Sequence, residues 1–154
     1  MEAKKPIKRV IELQTLSHDH HHALQLCWKI RTGLSKNIAP ERIQLYTDWF
    51  FKNHLLQHFK LEEEMVFPVL ETNNELVKRA LAEHQNLISL FTSEPKAQET
   101  LEKIEADLKA HIRFEERELF AEVQKRATET QLQKIAEAHS DEGFKEYNKD
   151  AFWL

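Results

Sequence analysis

The chain has few residues that interrupt helices. Only two glycines and four prolines occur among its 154 residues, and no alternating polar and apolar run predicts a strand. Charged residues make up 31% of the chain, a composition typical of long helices. We therefore expect an all-α protein, and the length predicts a single domain over residues 1–154.

Other absences exclude classes of function. The one cysteine, Cys27, excludes an intramolecular disulfide and is expected to fill the core. No apolar run approaches the roughly 20 residues that cross a bilayer, and the first residues lack the apolar segment of a secretory signal. We therefore expect a cytoplasmic protein that contacts no membrane. A net charge of −4 gives no basic surface for nucleic acid.

Apolar residues at spacings of three and four predict four long helices and a short fifth one. Short breaks separate them, at Gly33, Pro40, Asn74 and Pro95. Helices joined in this way favour an antiparallel up-down four-helix bundle, here over residues 14–127, approximately. Ser17 is the expected N-cap of the first helix, and Gly33 its expected end.

Residues 128–154 are expected to form an addition to the bundle. Thr128 and Gln131 match a capping box that opens the short fifth helix. Gly143 should end this helix, and an aromatic tail follows. Because that tail would otherwise expose unusual apolar surface, we expect it to fold back on the bundle. Its aromatic residues are Phe144, Tyr147, Phe152 and Trp153.

The pattern His-x-x-x-Glu occurs twice, at His58 with Glu62 and at His111 with Glu115. Residues four apart share one face of a helix, so each pair points an imidazole and a carboxylate the same way. The lone histidines His20 and His84 fall on the inward apolar stripes of two other helices.

Burying six polar residues on four apolar stripes costs free energy unless mutual hydrogen bonds or a metal site compensate their polar atoms. Imidazole with carboxylate suits iron, manganese, zinc or copper better than calcium or magnesium. Six candidates exceed the needs of one tetrahedral ion. The sequence therefore predicts a dinuclear metal site, with the two glutamates placed to bridge the ions.

Four segments together resemble a known family. "LSHDHHHAL", "HFKLEEEMVFP", "AEHQNL" and "HIRFEERELF" are similar to the local patterns of the hemerythrin-like, or HHE cation-binding, domain. The resemblance implies a non-haem di-iron centre inside an antiparallel four-helix bundle. It also implies two bridging glutamates and these iron ligands: His20, His58, Glu62, His84, His111 and Glu115.

One position departs from the oxygen-carrying members of that family. They have a second histidine four residues after the ligand on the third helix, where this chain has Ile88. His54, one turn before His58, is the first candidate for the remaining ligand, and His21 is the second. We expect three other histidines to be solvated: His18, His22 and His139.

The ligand types favour a binding protein over an enzyme. The chain contains no Glu-x-x-His, the motif of the carboxylate-rich ferritin-like oxidases. Fewer anionic ligands should stabilise highly oxidised iron less, which favours reversible binding of O2 or a related small molecule. Two iron ions are the expected cofactor, with zinc or manganese as alternatives. The other functions left open are a di-iron enzyme acting on peroxide or nitric oxide, metal storage, and a zinc-bound structural bundle.

Overall fold

A computed structural model describes residues 9–139, 145–147 and 149–154. All regular structure in these ranges is helical, as the composition predicts. The five helices are α1 (Ile11–Ser35), α2 (residues 40–69), α3 (Glu75–Thr92), α4 (residues 98–126) and α5 (Glu129–Ala138).

Two of the long helices change their winding along their length. Helix α2 contains α-helical Pro40–Phe50 and Leu56–Leu61, π-helical turns at Phe51–Leu55 and Glu62–Val66, and a final 3-10 turn at Phe67–Val69. Pro68 lies in that final turn, and the helix ends one residue after it, at Val69. Helix α4 contains α-helical Gln98–Phe114 and Phe120–Arg126 on either side of a π-helical turn at Glu115–Leu119.

Two layers of buried apolar residues establish the direction of the helices. One layer joins the start of α1, the end of α2, the start of α3 and the end of α4, through Leu13, Val66, Val77 and Leu119. The other layer joins the opposite ends of the same helices, through Ile30, Ile43, Leu87 and Leu101. Successive helices therefore run in opposite directions, and the prediction of an antiparallel four-helix bundle is confirmed.

Side-chain caps begin two helices at the predicted places. The Asn74 side chain accepts hydrogen bonds from the backbone N–H groups of Leu76 and Val77, at the start of α3. Thr128 and Gln131 form the predicted capping box of α5, with both reciprocal hydrogen bonds present.

The predicted start of α1 was wrong. The helix begins at Ile11 rather than after Ser17, and its N-cap is Val10. Leu13 and Leu16 are both fully buried. They continue the inward face upstream of Ser17, so burial extends the helix past a residue that could have capped it.

The predicted end of α1 was also early. The helix passes Gly33 and ends at Ser35, and Asn37 supplies the left-handed conformation beyond it, with φ of 59°. Gly33 instead allows close packing, since a Cβ atom there would lie 2.7 Å from Cε2 of Phe152. In α3, the spacing of three residues before His84 predicts an inward Leu81, but Leu81 is 37% exposed, whereas Ala80 is buried.

The aromatic tail folds back on α1 and α2, as predicted. Lys29 is buried beneath it, with Nζ 2.8 Å from the Tyr46 hydroxyl and 2.7 Å from the Glu146 carboxylate. The same ammonium lies 4.1 Å from the centre of the Trp153 ring. The predicted break at Gly143 and the aromatic Phe144 lie outside the described residues. In the part of the chain that is described, no helix combines the length and apolar character needed to cross a membrane.

Candidate metal centre

Six polar side chains meet between the two apolar layers, one or two from each long helix. Three of them are wholly buried and the others are at most 4% exposed. They are the six that the sequence places on inward stripes: His20, His58, Glu62, His84, His111 and Glu115.

These side chains form two groups that share their carboxylates. His20 and His58 belong to the first group, and His84 and His111 to the second. Glu62 and Glu115 belong to both. Within each group the candidate ligand atoms all lie within 4.8 Å of one another, which is the spacing required of atoms that bind one ion.

In the first group, the Nε2 atoms of the two imidazoles face each other. The Nε2 atoms of His20 and His58 are 3.0 Å apart. Nε2 of His20 lies 3.0 Å from Oε1 of Glu115, and Nε2 of His58 lies 3.3 Å from Oε2 of Glu62. Two ligand atoms bound at right angles, each about 2.1 Å from one ion, are about 3.0 Å apart.

In the second group, Glu62 offers its other oxygen, and Glu115 lies close through both of its oxygens. Nε2 of His84 lies 3.2 Å from Oε1 of Glu62 and 3.8 Å from Oε2 of Glu115. Nε2 of His111 lies 3.3 Å from Oε1 of Glu115. Glu62 therefore presents one oxygen to each group, the arrangement of a carboxylate that bridges two ions.

The hydrogen bonding of these residues tests whether a metal pair fits. Both carboxylate oxygens of Glu62 and of Glu115 are buried without a hydrogen-bond partner among the described residues. The Nε2 atoms of His84 and His111 are also buried and have no hydrogen-bond partner among these residues. An uncompensated buried carboxylate costs several kcal/mol, roughly. Because the orphaned atoms are the ones that converge, the residues present fit a pair of metal ions.

A second layer of carboxylates surrounds the four imidazoles. Each histidine bonds through Nδ1 to a carboxylate on another helix, at 2.7 to 2.9 Å. Each helix serves the next one along the chain, and α4 serves α1, so the order closes into a ring. The pairs are Asp19 with His58, Glu63 with His84, Glu83 with His111, and Glu116 with His20.

This ring prepares the histidines for metal binding. An imidazole that donates its Nδ1 hydrogen to a carboxylate keeps a lone pair on Nε2, which faces the centre. Sequence reasoning missed these four carboxylates. A signal was present, because each one adjoins a candidate ligand in the chain, as in Asp19-His20 and Glu62-Glu63.

The electrostatics of the cluster favour the charged forms of His58 and His111. Burial by itself lowers the pKa of His58, but Glu62 and Asp19 raise it to about 9. Burial likewise lowers the pKa of His111, whereas Glu115 and Glu83 raise it to about 10. Protons therefore occupy positions that metal ions would take, and metal binding must displace them.

A backbone feature marks both shared carboxylates. Glu62 and Glu115 each begin a π-helical turn, Glu62–Val66 and Glu115–Leu119. Single π-helical turns within α-helices are rare in proteins, and those that occur often lie at functional sites. Their presence at both shared residues agrees with the repetition of the His-x-x-x-Glu pattern in α2 and α4.

His54, the seventh candidate, is not brought to either group. Its ring is half-buried and lies 5.1 Å from the ring of Trp49, with Nε2 3.4 Å from the carbonyl oxygen of Lys145. His54 precedes His58 by four residues, about 6 Å along the helix axis, on the side opposite to Glu62 and so away from the cluster. His21, the second candidate, is exposed.

His139 was expected to be solvated, and this was wrong. Its side chain is only 15% exposed, and its Nε2 lies 2.8 Å from Oδ2 of Asp19. His18 is exposed, as expected. Nearby, a cavity of about 570 Å³ borders His20 and His58.

Comparisons with known proteins agree with this geometry. The model of one protein family, described as "Hemerythrin HHE cation binding domain", matches residues 12–123. That range is well over half of the chain and contains all six clustered residues. Comparisons with curated proteins and with solved structures each gave no match.

Proposed function

The chain belongs to the hemerythrin HHE cation-binding family, and from this premise we propose that its buried cluster holds two iron ions. In this proposal Glu62 and Glu115 bridge the ions. The centre binds O2 or a related small molecule, such as nitric oxide or peroxide, for sensing, storage or handling.

The observation that carries the proposal is the sharing of two carboxylates by two groups of histidines. A single ion would leave one pair of imidazoles unused. Two ions use all six residues, and each receives two neutral nitrogens and two shared carboxylates. The four outer carboxylates bring the total to six around four imidazoles, an excess of negative charge that two multivalent cations offset.

The number of ligands supports binding of a small molecule. Each group offers four donors, fewer than the six of an octahedral ion. Ile88 stands where the oxygen carriers of the family have a further histidine, so no donor is added there. The cavity beside His20 and His58 provides room for a ligand to approach the first group.

Iron would supply the change of oxidation state that O2 binding requires, which Zn²⁺ cannot. The chain itself supplies the shape of the site and its low polarity. Phe59 stacks on the His84 ring with centroids 4.0 Å apart, and Phe120 stacks on the His20 ring at 5.1 Å. These rings exclude water from the imidazole faces and hold them in place.

The proposal is tested with protein purified without a metal-affinity column and freed of metal. Ferrous iron is titrated in anaerobically, and we expect binding to saturate at two ions per chain. Exposure to O2 should then produce charge-transfer absorption that reverses when O2 is removed. Protein loaded with zinc is the control and should stay colourless.

Two outcomes would contradict parts of the proposal. Saturation at one ion per chain would exclude the dinuclear centre. Rapid consumption of O2 or peroxide, with many turnovers per chain, would favour the alternative of a di-iron enzyme.

A further inference from the structure

Three of the four outer carboxylates are themselves held by a further donor. The Arg79 guanidinium donates to the Glu83 carboxylate at 2.8 Å, and the Arg9 guanidinium donates to the Glu116 carboxylate at 3.2 Å. Asp19 receives no arginine in the described structure. In its place, Nε2 of His139 lies 2.8 Å from Oδ2, the same oxygen that binds Nδ1 of His58 at 2.9 Å.

His139 comes from outside the part of the chain that the family model matches. It directly follows α5, and its backbone N–H bonds to the carbonyl oxygen of Ile135 at 3.2 Å. Ile135 is fully buried, in the apolar layer formed by the end of α4 and the start of α1. Helix α5 packs against α1 and the second π-helical turn of α2. The backbone that carries His139 is therefore fixed relative to Asp19.

We propose that His139 is a positioning residue for the metal centre. It holds the Asp19 carboxylate, which in turn holds the His58 imidazole with Nε2 directed inward. The Asp19 side chain is 35% exposed. Without a second donor, its carboxylate can rotate toward water and orient His58 less firmly. This inference rests on the proposed metal-binding function.

A matched pair of variants tests the donated hydrogen bond. His139→Met keeps a side chain of similar length but has no donor, whereas His139→Gln can place an N–H near the position of Nε2. We expect His139→Met to weaken binding of the ion in the first group by about tenfold, the lower end of the range for partners of metal-bound histidines. His139→Gln should restore most of the affinity. The exposed His18→Met is the control and should bind metal as the wild type does.

A second measurement separates positioning from general stability. In protein loaded with diamagnetic Zn²⁺, proton NMR detects the Nδ1–H groups that are bonded to carboxylates. His139→Met should change the signal from His58 and leave those from His84 and His111 in place. A residue that only stabilises the fold would lower the melting temperature without this selective change.

The outcomes distinguish the inference from the function on which it rests. If the wild type does not bind two ions, the proposed function fails and the inference fails with it. If the wild type binds two ions and His139→Met keeps both the affinity and the His58 signal, only the inference is overturned. Equal weakening in the Met and Gln variants would also overturn it, because the donor would then not matter.

Discussion

The carboxylate of Glu63 accepts the Nδ1 hydrogen of His84 at 2.7 Å, across the contact between α2 and α3. The two residues are 21 positions apart in the chain, and His84 is wholly buried. The bond therefore sets the tautomer and ring orientation of an imidazole that has no access to water. Equivalent bonds act on the other three histidines of the cluster.

Removing this carboxylate should weaken metal binding. We expect Glu63→Ala to lower the affinity of the second group by about 10- to 100-fold, because His84 loses the partner that orients it. The neighbouring Glu64→Ala removes an exposed carboxylate of the same kind and should have little effect. Competition with a coloured chelator measures both affinities. Equal affinities would show that the orientation of His84 does not depend on Glu63.

If the two groups each hold one ion, variants of different residues should bind different numbers of metal ions per chain. His20→Ala and His84→Ala each damage one group, so each should retain about one ion per chain. Glu62→Gln removes charge from both groups and should reduce binding at both. Elemental analysis after removal of excess metal gives the count, with His18→Ala as the control. A variant of His20 that still binds two ions would contradict the assignment of the first group.

Acidity should act in opposite directions on the metal-free and the loaded protein. The folded-state pKa values of His58 and His111, about 9 and about 10, lie above the ordinary 6.5. Their contribution to stability is fully present below pH 6.5 and is lost as the pH rises through these values. The metal-free protein should therefore lose stability between pH 6.5 and 10.

Metal binding requires the same histidines to be neutral. The metal-loaded protein therefore becomes more stable as the pH rises and those protons are lost. The difference in melting temperature between loaded and metal-free protein should grow from pH 6 to pH 9. Thermal unfolding with and without a chelator measures it. A difference that shrinks over this range would indicate that the histidines of the metal-free protein are not held protonated by Glu62 and Glu115.

His54→Ala tests the remaining ligand candidate. The structure directs this ring toward Trp49 and Phe50, and burial lowers its pKa. We expect the variant to keep two ions and the ferric absorption spectrum of the wild type, and to lose some stability. Loss of an ion, or a shifted spectrum, would support His54 as the ligand that replaces the missing histidine at Ile88.

The contact between Gly33 and Phe152 should show strong coupling. In a helix, Gly→Ala normally stabilises by about 0.5–1 kcal/mol. At Gly33 the added Cβ would lie 2.7 Å from the Phe152 ring, so we expect Gly33→Ala to destabilise by about 1–3 kcal/mol. In a Phe152→Ala background the same change should be neutral or stabilising. Urea unfolding of the four proteins measures this coupling, and additive effects would contradict the packing of the tail.

The local spacing of residues was sufficient to predict much of the fold and to select the six residues of the cluster. The four-residue interval from His58 to Glu62, repeated at His111, fixes a shared face on any helix. The caps at Asn74 and Thr128 are likewise local. The start of α1 was not predictable in this way, because Ser17 can cap a helix and only the burial of Leu13 and Leu16 shows that it does not.

The outer carboxylates depend on which helices are neighbours. Glu83 bonds to His111, 28 positions away, and Asp19 bonds to His139, 120 positions away. No periodicity within one helix encodes such pairs. The error at Leu81 has a simpler origin, since the buried Ala80 is only one position away and a small residue gives a weak signal of burial.

The closed order of the histidine–carboxylate pairs gives the centre a kinetic property. Each long helix contributes one histidine to the ring and one carboxylate to the histidine of another helix. A helix that moves outward therefore breaks two pairs at once, and Glu62, His84 and Glu115 have no exposed surface. The lifetime of the bound metal should follow the rate at which the bundle opens, so exchange would be slow even where the equilibrium affinity is modest.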